Sequence, residues 1–506
     1  MTRIKLLLFC LLAFISNINA QNTFEKTYDE IDWAAIRFAI ETDENNYLFL
    51  ITPSSIDFTN DYVLKVSSSG EIIGSYNYEI ADGILKYLGI FKHPNNEDLF
   101  IIPALVCNDD DETSTEIAII TLDKDMNCVN ETRSVFSDIL QDMAPRVLPS
   151  VVVFDNEIAM TAHVVLDTGG YANLYTRIDI NGERLAVQID DSYNGPSSLS
   201  SSIALINKND KCFAVLNTKS VNSEKVLVVE TLDSTMSVTK TQIVEYDNSG
   251  STNSISFRPS DTPILKSIND TTLMMNLMAN IYVSNNNSSY NGNCLVEMNH
   301  DLEIINTTFY FYDKKHVMVR LPLRNSFEIR DDYVLSCDII NLHSYHPLYK
   351  TQCLVTKYDR DMNVIWERFV NQNEGYYYPH YVLATEDGGC LLAGYMCDED
   401  YQNKYAYAIK TDADGYLGLS ENSYVEIKPY LCYPNPAGDN LYIDLSPDVS
   451  CQSVEIYDID GRLVVETFPE TSQQTTIDIS GLHAGMYIMK IRMADGRELS
   501  EKIVKE

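Results

Sequence analysis

Cys353-Leu354-Val355-Thr356-Lys357-Tyr358-Asp359-Arg360-Asp361-Met362-Asn363-Val364-Ile365-Trp366-Glu367-Arg368-Phe369-Val370 reads as a β-hairpin. Apolar and polar residues alternate through Leu354, Thr356 and Tyr358, a turn rich in Asp and Asn follows, and alternation resumes at Val364, Trp366 and Phe369 with one slip. The pattern returns six more times. It recurs at Tyr62 to Tyr76 around Ser67-Ser68-Ser69-Gly70, at Ala118 to Thr132 around Asp123-Lys124-Asp125-Met126, and at Leu174 to Ile189 around Asn181-Gly182. Further copies run from Val226 to Val244 around Asp233-Ser234-Thr235-Met236, from Cys294 to Phe311 around Asn299-His300-Asp301-Leu302, and from Tyr405 to Leu419 around Asp412-Ala413-Asp414-Gly415. Successive turns lie about 53 to 66 residues apart, a period that marks solenoids, propellers or arrays.

Ahead of each hairpin stands another apolar strand behind a polar corner, such as Asn46-Tyr47-Leu48-Phe49-Leu50 or Asp387-Gly388-Gly389-Cys390-Leu391, and before that a further one, such as Ala34 to Ile40 or Tyr381 to Ala384. Each unit therefore holds four strands, termed a, b, c and d. Seven such units predict an all-β chain built as a seven-bladed β-propeller over residues 21–425, in which radial closure leaves few exposed edges. Tandem sandwiches would need about 100 residues each and would pair the units two by two. Asn22 to Tyr28 resembles the d strand Val364 to Phe369, and the last unit lacks a good d strand after Gly415. The mature N-terminus is thus expected to supply the outer strand of the seventh blade. The stretch Asp387 to Tyr395 followed by Tyr407 to Gly415 also resembles repeats of secreted bacterial propeller-like proteins of unassigned activity.

The composition agrees. Of 506 residues 45% are hydrophobic and 22% charged, as in folded protein, and 33 Tyr lean the chain towards strand. Arg3 and Lys5 precede an unbroken apolar run from Leu6 to Ile15, and Ala20 closes the segment, the form of a secretory signal peptide over residues 1–20. The run is about half of what a spanning helix needs, so no transmembrane segment is expected. A formal net charge of −36 repels phosphate backbones and argues against nucleic acid as a partner.

From about Glu426 the pattern changes. Tyr433-Pro434-Asn435-Pro436 forms a turn, Leu441-Tyr442-Ile443 a strand, and Asp460-Gly461 a hairpin signal between Val454 to Ile459 and Arg462 to Val464. Leu482, Gly485 and Tyr487 follow within Ile479 to Lys490, and Lys502 lies in the closing strand. Alternating strands make residues 426–506 a small C-terminal β-sandwich, immunoglobulin-like in type. These motifs resemble the C-terminal sorting domain of type IX secretion substrates. The resemblance implies export through the periplasm of a Gram-negative bacterium, recognition by the type IX machinery, and a secreted or cell-surface cargo.

Chemistry is sought where loops gather. Strands alternate in direction, so the b to c and d to a connections of a blade emerge on one face, and the c to d turns on the other. Ser284 to Tyr290, Asn341 to His346, Cys397 to Tyr401 and Tyr376 to His380 then place Tyr290, Tyr345, His346, Tyr378, His380 and Tyr401 on one rim as candidate ligand-binding residues. Aromatic rings with acids and amides suit a glycan or protein ligand. No metal site or cofactor is expected: His343 and His346 lie in a loop rather than on a helix, and Asp109 to Glu112 lacks the ligand spacing of a calcium loop. No nucleophile elbow, phosphate loop or dinucleotide fingerprint occurs. The expected function is a non-catalytic binding propeller. The alternative is a secreted polysaccharide hydrolase or lyase using rim carboxylates with Tyr or His. Ten Cys remain after Cys10 leaves with the signal, and Cys337 with Cys353 is the expected disulfide.

Overall fold

A computed structural model of the protein describes residues 23–505 except 33, 54–60, 79–82, 108–113, 144–148, 192–201, 222–223, 246–252, 259–263, 270–271, 284–287, 311–325, 341–351, 371–374, 399–402, 418–429, 434–436, 446–450, 460, 469–473 and 494–497. The expected signal peptide, His343 and the Asp109 to Glu112 cluster lie outside the described residues. Among the described residues there is no helix. Two compact units divide the chain, one extending to Ser423 and the other starting at Tyr424.

Unit one has a β-propeller fold. Among the described residues its strands form seven antiparallel sheets, each built from consecutive strands, with the seventh completed from the far end of the chain. Phe24–Asp32 pairs with Lys404–Thr411, Phe24 opposite Lys410 and Thr27 opposite Tyr407, so the N-terminus supplies the outer strand as expected. Each sheet shares an apolar core with the next. Leu50 and Val63 of the first meet Leu85 and Ile120 of the second, and Phe154 and Tyr175 of the third meet Phe213 and Leu232 of the fourth. The ring closes where Ile36 and Phe49 of the first sheet meet Leu391 and Ala406 of the seventh, with Phe24 and Tyr28 packed alongside. The strand runs read as continuous apolar stretches because the middle strands are covered on both faces.

The inner strand departs from expectation in three sheets. It is split into Ile84–Tyr87 and Phe91–His93 in the second, Leu140–Asp142 and Ser150–Phe154 in the third, and Asn253–Arg258 and Ile264–Asn269 in the fifth, giving five strands in place of four. In the second sheet the break holds Gly89, where a Cβ would stand 2.7 Å from the Phe91 ring.

All seven c to d turns share one backbone. The amide of the fourth residue donates to the carbonyl of the first, as Met362 to Asp359 at 3.1 Å, and the amide of the first donates to the carbonyl of the fifth, as Asp359 to Asn363 at 2.9 Å. The side chain of the first residue is an internal acceptor; Asp359 Oδ1 receives the Asn363 amide at 2.8 Å. This geometry forces the fourth residue to positive φ, from 60° at Leu302 to 86° at Gly182. An ordinary residue there costs about 1–2 kcal/mol. Met236 and Leu302 are fully buried in their positions, and burying such a side chain returns about 1.5–3 kcal/mol, which offsets the strain. Glycine appears instead where the preceding sheet already fills the space. A Cβ on Gly415 would lie 2.9 Å from the Trp366 ring, and one on Gly182 would lie 2.5 Å from the Arg133 carbonyl oxygen.

Gly182→Ala is therefore expected to destabilise by more than about 2 kcal/mol, combining backbone strain with a collision against main chain that cannot move aside. Gly388→Ala, at φ +84° with its nearest contact at 3.4 Å, is expected to cost only about 1 kcal/mol. Chemical denaturation of the two variants side by side checks the difference.

The expected disulfide is not formed. Cys337 stands opposite Val355 and Cys353 opposite Ile339, a diagonal placement, and both are thiols. Diagonal partners on an antiparallel pair sit about 7–8 Å apart, beyond the usual span of a bridge. The Cys353 sulfur instead lies 3.4 Å from the Tyr407 hydroxyl.

Unit two has a three-stranded sheet, Tyr430–Tyr433, Asn440–Leu445 and Gln474–Asp478, and a four-stranded sheet, Leu463–Thr467, Cys451–Tyr457, Gly485–Met493 and Glu498–Lys505. Both face one core of Leu441, Ile443, Val454, Ile456, Met489 and Ile503. The turn from Asp458 to Gly461 repeats the hydrogen bonds of unit one, with Gly461 at φ 80°.

Candidate functional site

The two ends of unit one differ. At one end stand the seven tight c to d turns; at the other, connections range from the close turn of Leu166 to Gly169 to the interval 341–351. The inner strands surround a cavity of about 540 Å³ with largely apolar walls, including Phe38, Ile40, Phe91, Val151, Ile203 and Tyr381. Phe38 and Tyr381 touch ring to ring with centroids 6.0 Å apart.

Directly beside these two residues in sequence are Arg37 and His380, and each is the extra residue of a β-bulge. In the first sheet Ile36 pairs with Ile51 and Phe38 with Leu50, leaving Arg37 over; in the seventh Pro379 pairs with Gly394 and Tyr381 with Ala393, leaving His380 over. Bulges re-aim a side chain and are frequent beside functional sites. The strand of Arg37 packs against all three chain-consecutive strands of the seventh sheet. Those strands hold His380, Tyr395 and Lys404. His380 meets the Tyr395 ring edge-on at 5.2 Å, Tyr378 stacks on it at 4.6 Å, and Lys404 Nζ lies 3.9 Å from its centroid. Tyr395 thus holds an ammonium by cation–π attraction.

On the other side of Arg37 is Asp61, fully buried at the start of the c strand of the first sheet. The Tyr87 amide donates to its Oδ2 at 2.8 Å, and Lys86 Nζ is 4.0 Å from its Oδ1. Arg37 Nε is buried without a hydrogen-bond partner. Burial lowers the pKa of Arg37, which Asp61 opposes. Burial also lowers Lys404, and the charge of Arg37 adds to that effect. Burial pushes the Asp61 carboxyl up to about 6 against the pull of Lys86 and Arg37. Lys86 and Arg37 thus act on one buried carboxylate, and Arg37 also feels the charge of Lys404.

The folded-state pKa of Asp61 lies above the ordinary value, so the folded protein binds the proton that the unfolded chain has released. This group weakens the fold as pH rises from about 4 to about 6 and has no further effect above. Asp61→Asn retains an oxygen for the Tyr87 amide. It is expected to match the parent near pH 4 and exceed it by about 2–3 kcal/mol at pH 7, measured by urea denaturation across that range.

Of the rim residues read from the sequence, the structure brings Tyr378 and His380 together. Tyr378 lies within the strand Tyr376–Ala384 rather than in the connection before it, and it is buried beneath Tyr395. Tyr290 is likewise not in a loop: it pairs with Ile281 inside the strand Ser288–Asn299. Tyr345, His346 and Tyr401 lie outside the described residues. Sequence reading missed Arg37, Asp61, Lys86 and Lys404. One signal was present for Arg37, a cation set inside the apolar run Ala34 to Ile40. Among the described residues no three His, Cys, Asp or Glu side chains converge on a metal position.

In unit two, Tyr433 ends a strand, Gly461 occupies the Asp458 turn, and the Leu482 amide donates to the Ile479 carbonyl at 3.0 Å. Gly485 opens a strand, the Tyr487 hydroxyl donates to the His483 carbonyl at 2.8 Å, and Lys502 is exposed opposite Ile488. Pro434, Asn435 and Pro436 lie outside the described residues.

Residues 431–506 match the family model of the secretion system C-terminal sorting domain, and they form a sorting domain of the type IX route. That domain places the protein on a Gram-negative export route to the cell surface or beyond. No curated protein matches the chain. Among solved structures, the chain is similar to an alpha-L-arabinanase of Penicillium chrysogenum complexed with arabinobiose, at 5% identity over 77% of this chain and 99% of that one, TM-score 0.39. It is also similar to the endosialidase of phage phi92, at 12% identity over 96% and 80%, TM-score 0.38, and to a polysaccharide lyase, at 12% identity over 72% and 90%, TM-score 0.34.

Proposed function

We propose that residues 21–425 are a seven-bladed β-propeller that binds a glycan or protein ligand without turnover at the cell surface. Residues 426–506, a small immunoglobulin-like β-sandwich, act as its type IX export signal. The blade count rests on seven sheets joined by successive apolar cores, with the first sheet packed on the seventh. The sandwich rests on two sheets facing one core. The observation that carries the functional reading is the pair of bulged inner strands of the first and seventh sheets, whose Phe38 and Tyr381 line a cavity of ligand size. The opposite end carries the seven c to d turns, in which Asp123 and Asp359 are satisfied by their own turn amides and Asn side chains.

The test applies the mature protein to a glycan array and, from the same preparation, measures release of reducing ends. Retention of a glycan without release is the expected result. Release of reducing ends would replace this reading with that of a secreted hydrolase or lyase.

A further inference from the structure

We propose that an apolar patch on the outward face of the four-stranded sheet of unit two, at the end that bears the Asp458 to Gly461 turn, is where the type IX export machinery takes hold of this chain. The proposal deepens the reading of residues 426–506 as the export signal and does not depend on what the propeller binds.

The patch follows from register. Val465, Ile456 and Met489 stand in line across three strands and face the core, with Ile456 and Met489 fully buried. One step along, Leu463, Tyr457, Ile488 and Lys502 form the next row, and alternation turns that row outward. Leu463 is 47% exposed and Ile488 39%. Met486, two residues before Ile488 and so on the same side, is 47% exposed, and Ile459, in the turn beyond Tyr457, is 78% exposed. Val464 is the extra residue of a bulge between Leu463 and Val465 and is exposed as well. Residues directly opposed on neighbouring strands have their Cβ atoms about 5 Å apart, so the row is continuous. Tyr457 is fixed within it: its hydroxyl donates to Glu455, and Lys490 Nζ lies 5.5 Å from its ring centroid.

The rest of unit two differs. Farther along the same face Arg492 lies 3.6 Å from Glu455, and on the three-stranded sheet the outward residues Asn440, Thr476 and Asp478 are exposed and polar. Of the six exposed large hydrophobic side chains among the described residues of unit two, five gather at one end of one sheet. The sixth, Phe468, follows the far end of the strand Leu463–Thr467. Exposed apolar side chains grouped in this way mark a contact surface.

The occupant follows from the size of the patch and the role of the domain. A stable dimer buries about 20 to 30 residues on each side, many more than this patch offers, so it is not built for a permanent contact between two copies. A sorting domain has a partner that must hold it and release it again, and a small apolar patch suits a short-lived contact. The partner therefore presents an apolar surface of its own.

The test places Leu463→Thr and Ile488→Thr together in the full-length chain and follows export in the native host by protease shaving set against periplasmic extracts. Threonine suits a strand and removes apolar surface. Surface exposure is expected to fall at least about tenfold, with the chain retained in the periplasm. Ile488→Val keeps the apolar face and should be exported like the parent, as should Phe468→Thr and Thr476→Lys, which lie off the patch. The purified double variant should melt with the parent because both side chains are exposed, and light scattering should find the parent monomeric. Normal export of the double variant, or an equal loss in Phe468→Thr or Thr476→Lys, overturns the assignment. A parent dimer that the double variant dissolves would overturn it in favour of a second copy, and a lowered melting midpoint would overturn it in favour of packing within the chain. Surface export of a chain lacking residues 426–506 would remove the reading beneath it, whereas blocked export of that deletion with normal export of the double variant sinks this inference alone.

Discussion

A mature chain lacking Phe24–Asp32 is expected to melt roughly 10 °C or more below the parent and to aggregate. The strand supplies the outer edge of the seventh sheet, and Phe24 and Tyr28 are buried between that sheet and the first. Tyr47 and Phe49 take them edge-on at 6.1 and 6.0 Å. Loss of a buried aromatic side chain costs about 3–5 kcal/mol, and in a unit of this size each kcal/mol moves the midpoint by about 2 °C. The deletion also bares the strand Lys404–Thr411, whose unpaired backbone would recruit other chains. Calorimetry and size-exclusion chromatography measure both effects; an unchanged midpoint and a monomeric profile would mean that the ring is not held shut in this way.

Deleting residues 426–506 is expected to abolish surface exposure while leaving the propeller folded in the periplasm. The two units have separate cores, so the cargo does not need the sorting domain for its own stability. Protease shaving of intact cells, set against periplasmic extracts, reads the outcome. Truncated protein at the surface would show that another part of the chain directs export.

The repeat was legible because its turns are chemically conspicuous. Asp359-Arg360-Asp361-Met362-Asn363 announces both the acceptor side chain at the first position and the polarity of a tight turn, and the same announcement is made six more times. The closing strand was legible through the likeness of Phe24 to Tyr28 to Val364 to Phe369, two segments that occupy the same outer position in adjacent sheets. The sorting domain was legible from short motifs at fixed order, each tied to a turn or strand end. The candidate site was much less so. A bulge at Arg37 or His380 adds one residue to a strand whose composition is otherwise apolar, and whether that residue slips the register depends on the partner strand. Asp61, Lys86 and Lys404 come from separate sheets, and only closure of the ring brings the seventh sheet, with Lys404, beside the first. Tyr378 looked like a rim residue because it stands in a run of tyrosines before a proline. The strand begins earlier than alternation suggested, and Tyr378 supports Tyr395 from beneath.

Which end of the ring meets the ligand is the claim on which the account stands, and affinity for the best glycan on the array measures it directly. His380→Ala changes the loop-bearing end, and Asp301→Ala changes a c to d turn on the other. A side chain at the centre of a contact costs about 2 kcal/mol or more on truncation, close to a thirtyfold loss of affinity. The account predicts that His380→Ala weakens binding on that scale and that Asp301→Ala leaves it unchanged. Loss of binding in Asp301→Ala with full affinity in His380→Ala would contradict it.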